Sequence, residues 1–252
     1  MSFKGKVILI TNASSIIGAA AVEFFAKEGA LLALVGQKTE RLVQAFDKVK
    51  ANSIETISLP EEITIDADRI INETIVKFGR LDVLIHNSEI ELSGSIENME
   101  IIDFDIVMTT NVRNVIELTK KAIPYLIKSK GNIVVLSSNC SVTPFPNHLA
   151  YSISKASLDQ FTKCAALELE SSGVRINSIA PRYNITEFAS NQASNKHVTT
   201  ANRRDYENNS IEQINLCVKA IAFLAKDQDT FHSGKILQLP ISRESDQSFD
   251  II

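Results

Sequence analysis

The sequence predicts an α/β fold, a doubly wound parallel sheet of seven strands in a single domain. Three observations predict it. Short apolar runs alternate with longer segments of helical period along the whole chain. The runs lack polar alternation, as do strands buried on both faces under flanking helices. The helical segments stop at glycines, among them Gly29, Gly79 and Gly173, where a helix ends most readily.

Taken in order, Lys6 to Thr11 reads as a buried strand and Asn12-Ala13-Ser14-Ser15 as a turn. Ile17 to Gly29 is an alanine-rich helix. Leu31 to Gly36 is the second strand, followed by a charged helix over Thr39 to Lys50, and Thr56 to Leu59 is the third strand. Ile70, Ile71, Ile75 and Phe78 recur at helical spacing within Ile65 to Phe78. Asp82 to His86 is the fourth strand. A long helix then covers Asp103 to Lys128, with a bend expected at Pro124. Asn132 to Ser137 is the fifth strand, and Ala150 to Ser172 is a helix packing through Leu158, Phe161, Ala165 and Leu169. Val174 to Ala180 is the sixth strand, Ile211 to Ala225 an amphipathic helix, and Lys235 to Leu239 the seventh strand. The stretch 188–209 is polar, has little periodicity and follows a strand end, so it is expected as a loop covering a site.

Composition excludes several function classes. The chain has 252 residues, 44% of them hydrophobic, enough for a sizeable core. A net charge of −4 with scattered lysines and arginines argues against nucleic acid and anionic membrane as partners. Cys140, Cys164 and Cys217 are odd in number, far apart and without a Cys-x-x-Cys, which reads as reduced thiols in a cytoplasmic protein. His86, His148, His197 and His232 have no metal-ligand spacing, so no metal is expected. The first apolar run, Val7 to Ile10, is too short for a signal-peptide core or a membrane span.

The chemistry is expected around Tyr151 and Lys155. Four residues apart on a helix, they lie one above the other on one face. An ammonium beside a phenol favours the phenolate. Bringing a phenol from about 10 to roughly 7 takes about 4 kcal/mol of differential stabilisation. A tyrosine so tuned exchanges a proton with a carbonyl or an alcohol near neutral pH. By itself a Tyr-x-x-x-Lys is more often solvated helix surface. Company makes it specific: Ser138 closes the strand before it, and Asn111 lies in the preceding helix.

Asn111, Ser138, Tyr151 and Lys155, in this order and spacing, resemble the catalytic tetrad of the short-chain dehydrogenase/reductase family. The resemblance extends over nearly the whole chain, with Asn87 after the fourth strand, Pro181 and Thr186 after the sixth, and Ser233-Gly234-Lys235 before the last. It implies a Rossmann-type fold and hydride transfer between NAD or NADP and a carbonyl or hydroxyl group. Tyr151 would be the general acid/base. Lys155 would lower its pKa and hold the nicotinamide ribose, Ser138 would bond the substrate oxygen, and Asn111 would tie Lys155 to solvent through a water. The implied cofactor-binding set is Asn12, Ser14, Ser15, Ile17, Gly18, Gln37, Asn87, Tyr151, Lys155, Pro181 and Thr186. A homodimer or homotetramer through the 103–128 and 150–172 helices is also implied.

Departures from the family pattern fall on the cofactor side. Of three glycines in the first turn only Gly18 remains; Asn12 and Ile16 hold the other positions. Asparagine tolerates a left-handed backbone. Isoleucine at 16 is expected to resist positive φ and to intrude on a diphosphate. Glu89 replaces a glycine after the fourth strand, placing a carboxylate near the cofactor's course. Leu59-Pro60-Glu61 stands where an adenine-holding aspartate is expected, and Arg182 follows Pro181. Gly36-Gln37-Lys38 after the second strand leans slightly to NADP, since Lys38 suits a 2′-phosphate. Val142, Phe145, Leu149 and Phe188 suggest a small apolar substrate, lipid- or steroid-like. Two alternatives stay open: a cofactor-impaired relative with a binding or regulatory role, and a purely structural subunit.

Overall fold

Parallel pairing of the apolar runs builds one sheet in the order β3-β2-β1-β4-β5-β6-β7-β8 in the computed structural model of the chain. Residues 3–36, 43–44, 56–59, 65–181, 200–226, 233–239 and 250–251 are described, with 200–210 and 250–251 as backbone only. The strands are β1 (Val7–Ile10), β2 (Leu31–Val35), β3 (Thr56–Leu59), β4 (Val83–His86), β5 (Asn132–Leu136), β6 (Arg175–Ala180), β7 (Ile236–Gln238) and β8 (Asp250–Ile251). The first seven are parallel, as expected. β8 is an addition that no apolar run announced, two residues pairing antiparallel with β7 through Leu237↔Ile251.

The helices are α1 (Ile16–Lys27), α2 (Ala67–Phe78), α3 (Ile101–Met108), α4 (Asn114–Ser129), α5 (Leu149–Leu169) and α6 (Thr200–Ala225). Ser15 caps α1 by accepting from the Gly18 amide at 3.0 Å. Asp66 does the same for α2 from Arg69, and Gly79 ends that helix at φ 75°.

Successive residues of a strand face opposite sides, so β1, β2, β4, β5 and β6 each feed two cores. Ile8, Ile10, Leu32, Leu34, Ile85 and Val134 pack with Val22 and Phe25 of α1 and Ile221 and Leu224 of α6. Val7, Leu9, Ala33, Val35, Leu84 and Val135 pack with Ile70 of α2, Leu118 of α4 and Leu158 of α5. This is the physical content of the missing polar alternation.

Two boundaries depart from expectation. The single helix over 103–128 is α3 and α4 joined by a π turn, Thr109–Arg113, with buried Asn111 at its centre. The helix continues through Pro124 to Ser129. α6 starts at Thr200, so residues 200–209 are helical instead of loop. No glycine or proline interrupts 200–225, and the helix propagates outward from an apolar half anchored on α1. Residues 188–199, Gln37, Lys38, Arg182, Thr186 and all but 43–44 of the helix expected over 39–50 lie outside the described residues.

Candidate active site

Strand order reverses between β1 and β4, and sheets of this kind bind ligands at the carboxyl ends of the strands beside such a reversal. The turn after β1 and the segment after β4 are bonded to each other there. Asn87 Nδ2 donates to Thr11 O at 3.1 Å, Asn12 O at 2.9 Å and Ser15 Oγ at 2.9 Å. Thr11 Oγ1 accepts from the Asn87 and Ser88 amides at 2.9 and 3.0 Å. The Asn87 amide group is thus spent on shaping the turn.

Asn12 takes φ 46°, the left-handed backbone that a glycine adopts most easily and asparagine tolerates. The expectation for Ile16 is corrected. It opens α1 and is absent from the positive-φ residues, so it carries no backbone strain, and any obstruction is a matter of side-chain volume. The helix N-terminus can receive an anion. Among the described residues none accepts from the amides of Ile16 and Ile17, while Gly18 is bonded to Ser15 Oγ. Gly18 lets α1 approach the turn, since a Cβ there would lie 2.3 Å from the carbonyl oxygen of Asn12. Gly18→Ala is expected to cost about 1–3 kcal/mol of stability. Urea unfolding checks this, and wild-type stability in the variant would contradict the close packing.

Tyr151, 1% exposed, and Lys155, 0% exposed, lie within α5 beside the end of β5. Lys155 Nζ stands 5.2 Å from the centroid of the Tyr151 ring and donates to Leu136 O at 3.0 Å. The pairing expected from the sequence is therefore present. Its electrostatics are reversed. Glu89 Oε2 lies 2.6 Å from Lys155 Nζ and accepts from Tyr151 Oη at 3.0 Å. Burial, then the Glu89 charge and hydrogen bond, hold the Tyr151 phenol well above its ordinary value of 10 instead of lowering it. The physical reason is direct. Burial removes the water that would solvate a phenolate, the ammonium is already paired with a carboxylate, and that carboxylate can bond the phenol only while the phenol keeps its proton.

Ser138 caps a short 3-10 turn, its Oγ accepting from the Cys140 amide at 3.2 Å. Asn111 is not turned to Lys155. Its Nδ2 donates to Ile90 O and Ser154 Oγ, both at 2.9 Å, and its Oδ1 accepts from Ile90 N at 2.8 Å. Its side chain therefore clamps the segment that carries Glu89. Glu91 in that segment pairs with His148 just before α5, and Gly94 N donates to Asn147 O at 2.9 Å. Ser14 and Pro181 are buried at the ends of the β1 turn and β6, and the Asn139 amide donates to Pro181 O at 2.9 Å. Sequence reasoning missed the Glu89 contacts, the Glu91–His148 pair and Ser154. A glycine replaced by a carboxylate was the one available signal.

A parallel sheet with this reversal, an open helix N-terminus at it and a buried Tyr/Lys pair beside it define the scaffold of nucleotide-dependent oxidoreductases. The model of the short-chain dehydrogenases matches residues 6–197. The chain belongs to the short-chain dehydrogenase/reductase family, whose members use NAD or NADP. It is 32% identical to a glucose 1-dehydrogenase of Gluconobacter oxydans, over 93% of this chain and 90% of that one. It is 36% identical to 11-beta-hydroxysteroid dehydrogenase-like 2 of Arabidopsis thaliana, over 75% of this chain and 62% of that one. A solved NAD+-bound xylitol dehydrogenase superposes with a TM-score of 0.80 at 27% identity, covering 96% of this chain and 99% of that one.

Against the described residues, NAD or NADP fits unevenly. The turn and the α1 N-terminus suit a diphosphate. At Lys155 a protein carboxylate stands where a ribose is expected.

Proposed function

We propose that the chain transfers hydride between NAD or NADP and a carbonyl or hydroxyl group of a small apolar substrate. The observation that carries this reading is the buried pair Tyr151/Lys155 beside Ser138, at the carboxyl edge of a family-type sheet. A bound nicotinamide would be the source or acceptor of the hydride. Tyr151 gives its Oη proton to the substrate oxygen, or takes it back. Lys155 stabilises the phenolate that remains, and Ser138 Oγ bonds the same oxygen. Lys155 would also hold the ribose, the Ile16 and Ile17 amides would receive the diphosphate, and Asn12, Ser14, Ser15, Asn87 and Pro181 would complete the nucleotide site, to which the family resemblance adds Gln37 and Thr186. Phe145 before α5 and Leu149 at its start, both partly buried, support an apolar substrate, together with exposed Val142. NADP is slightly preferred, on Lys38.

The reading includes a homodimer or homotetramer through the 103–128 and 150–172 helices. Exposed Ile116, Ile153 and Leu167 on those helices support it. Three unbridged cysteines support a cytoplasmic location. None of the described helices is long and apolar enough to cross a membrane.

NADPH or NADH is expected to raise the melting temperature. At a hundred times Kd a ligand adds about 2.7 kcal/mol, about 5–10 °C for a chain of this size. No shift from either nucleotide at millimolar concentration overturns the oxidoreductase reading. Glu89 on both Tyr151 and Lys155 specifically favours a second reading, a relative that binds a ligand without turnover. Nucleotide binding with no redox activity on any carbonyl or alcohol tested would select it.

A further inference from the structure

We propose that the Glu89 carboxylate is a built-in occupant of the place where a nucleotide's ribose hydroxyls would meet Lys155 and Tyr151, so that nucleotide binds only those molecules in which Glu89 has swung aside. The identity of the displacing ligand rests on the oxidoreductase reading above; the occupancy rests on the geometry of this chain alone.

One oxygen, Oε2, engages both the ammonium and the phenol. Lys155 Nζ has three N–H donors; Leu136 O and Glu89 use two, so one remains for an incoming ligand. Of the three side chains only Glu89, at 27%, reaches solvent, whereas Tyr151 and Lys155 are sealed. Movement is confined to the Glu89 side chain, because the backbone around it is pinned. Asn87 is bonded to the β1 turn, Ile90 to Asn111 in both directions, and Gly94 to Asn147. Access therefore requires a rotation of one side chain and no opening of the segment.

Rotation outward leaves a buried ammonium with Leu136 O as its remaining partner, and a ligand with oxygen acceptors would satisfy it. A pair of ribose hydroxyls meets that need. It also leaves the phenol facing Lys155 without the carboxylate that holds its proton. Exchange of Glu89 for ligand thus changes the acid/base group at the moment the site fills. Among the described residues, the other acidic groups near this position are Glu91, paired with His148, and the thiols of Cys140 and Cys217, which burial keeps protonated.

If the open rotamer is populated at about 1–10%, apparent affinity is reduced by that fraction. Glu89→Gly, and Glu89→Gln as the isosteric variant that keeps an acceptor on Lys155, are therefore expected to tighten NADPH or NADH binding about ten- to a hundredfold. Fluorescence titration reads the affinity. Absorbance titration at alkaline pH, with Tyr151→Phe to assign the phenol, reads Tyr151 without any nucleotide. Its ionisation should fall by about one pH unit or more in both Glu89 variants. Unchanged affinity and unchanged phenol titration would overturn the proposal while leaving a nucleotide-binding wild type in place. Absence of nucleotide binding in wild type and both variants, with the phenol shift present, would confirm the occupancy and overturn the oxidoreductase reading instead.

Discussion

Tyr151→Phe is expected to lower turnover by about 10²–10⁴-fold, the usual contribution of a positioned acid/base group, with nucleotide binding retained. The ring fills a buried site within α5, and phenylalanine keeps that volume. Only the hydroxyl is lost, together with its bond to Glu89. Glu89 keeps Lys155 at 2.6 Å, so no buried charge is stranded. The variant should therefore fold. Steady-state rates on an apolar ketone, beside the nucleotide-induced melting shift of the same preparation, separate chemistry from binding. Turnover within a few-fold of wild type would remove Tyr151 from the reaction and leave Ser138 and Lys155 without a proton donor to serve.

The second large effect concerns the fold beneath the site. His86 is the last residue of β4, buried, with Nε2 at 2.8 Å from Thr119 Oγ1. Burial pushes its imidazole from 6.5 down to about 3. The folded chain thus holds a neutral ring that the unfolded chain protonates below about 6.5. Its contribution is fully present above pH 6.5 and is lost as pH falls from 6.5 towards 3, on the order of 5 kcal/mol across that window. A chain stabilised by about 5–15 kcal/mol feels this strongly. Urea unfolding at pH 7.5 and 4.5 should show wild type losing about 2–3 kcal/mol more than His86→Asn. Equal losses would mean that His86 is protonated in the folded protein at pH 4.5. Because His86 precedes Asn87 and Glu89, acid softening of β4 would also reach the segment that carries the plug.

Much of the molecule was legible in advance because its signals are local. The boundaries of β3 coincide with the strand expected over Thr56–Leu59, and those of the other parallel strands lie within a residue of their expected runs. Gly79 and Gly173 marked helix ends by their own backbone preference. The left-handed Asn12 was legible for the same reason. The π turn at Asn111 was not, because its apolar period matches an α-helix and the distortion comes from Asn111 bonding Ile90, which is distant in sequence. The start of α6 was also hidden, since polar residues with no breaker can be loop or helix until an anchored neighbour decides.

By itself the sequence determined a doubly wound parallel sheet, and that Tyr151 and Lys155 would share one helix face, because both follow from periodicity along the chain. The tertiary structure alone decided how that pair is charged. Glu89 lies 62 residues from Tyr151 in the chain and 3.0 Å from it in space. Proton affinity in a buried site is set by which charges share the low-dielectric volume, and pairing across the fold, not spacing within a helix, places them there.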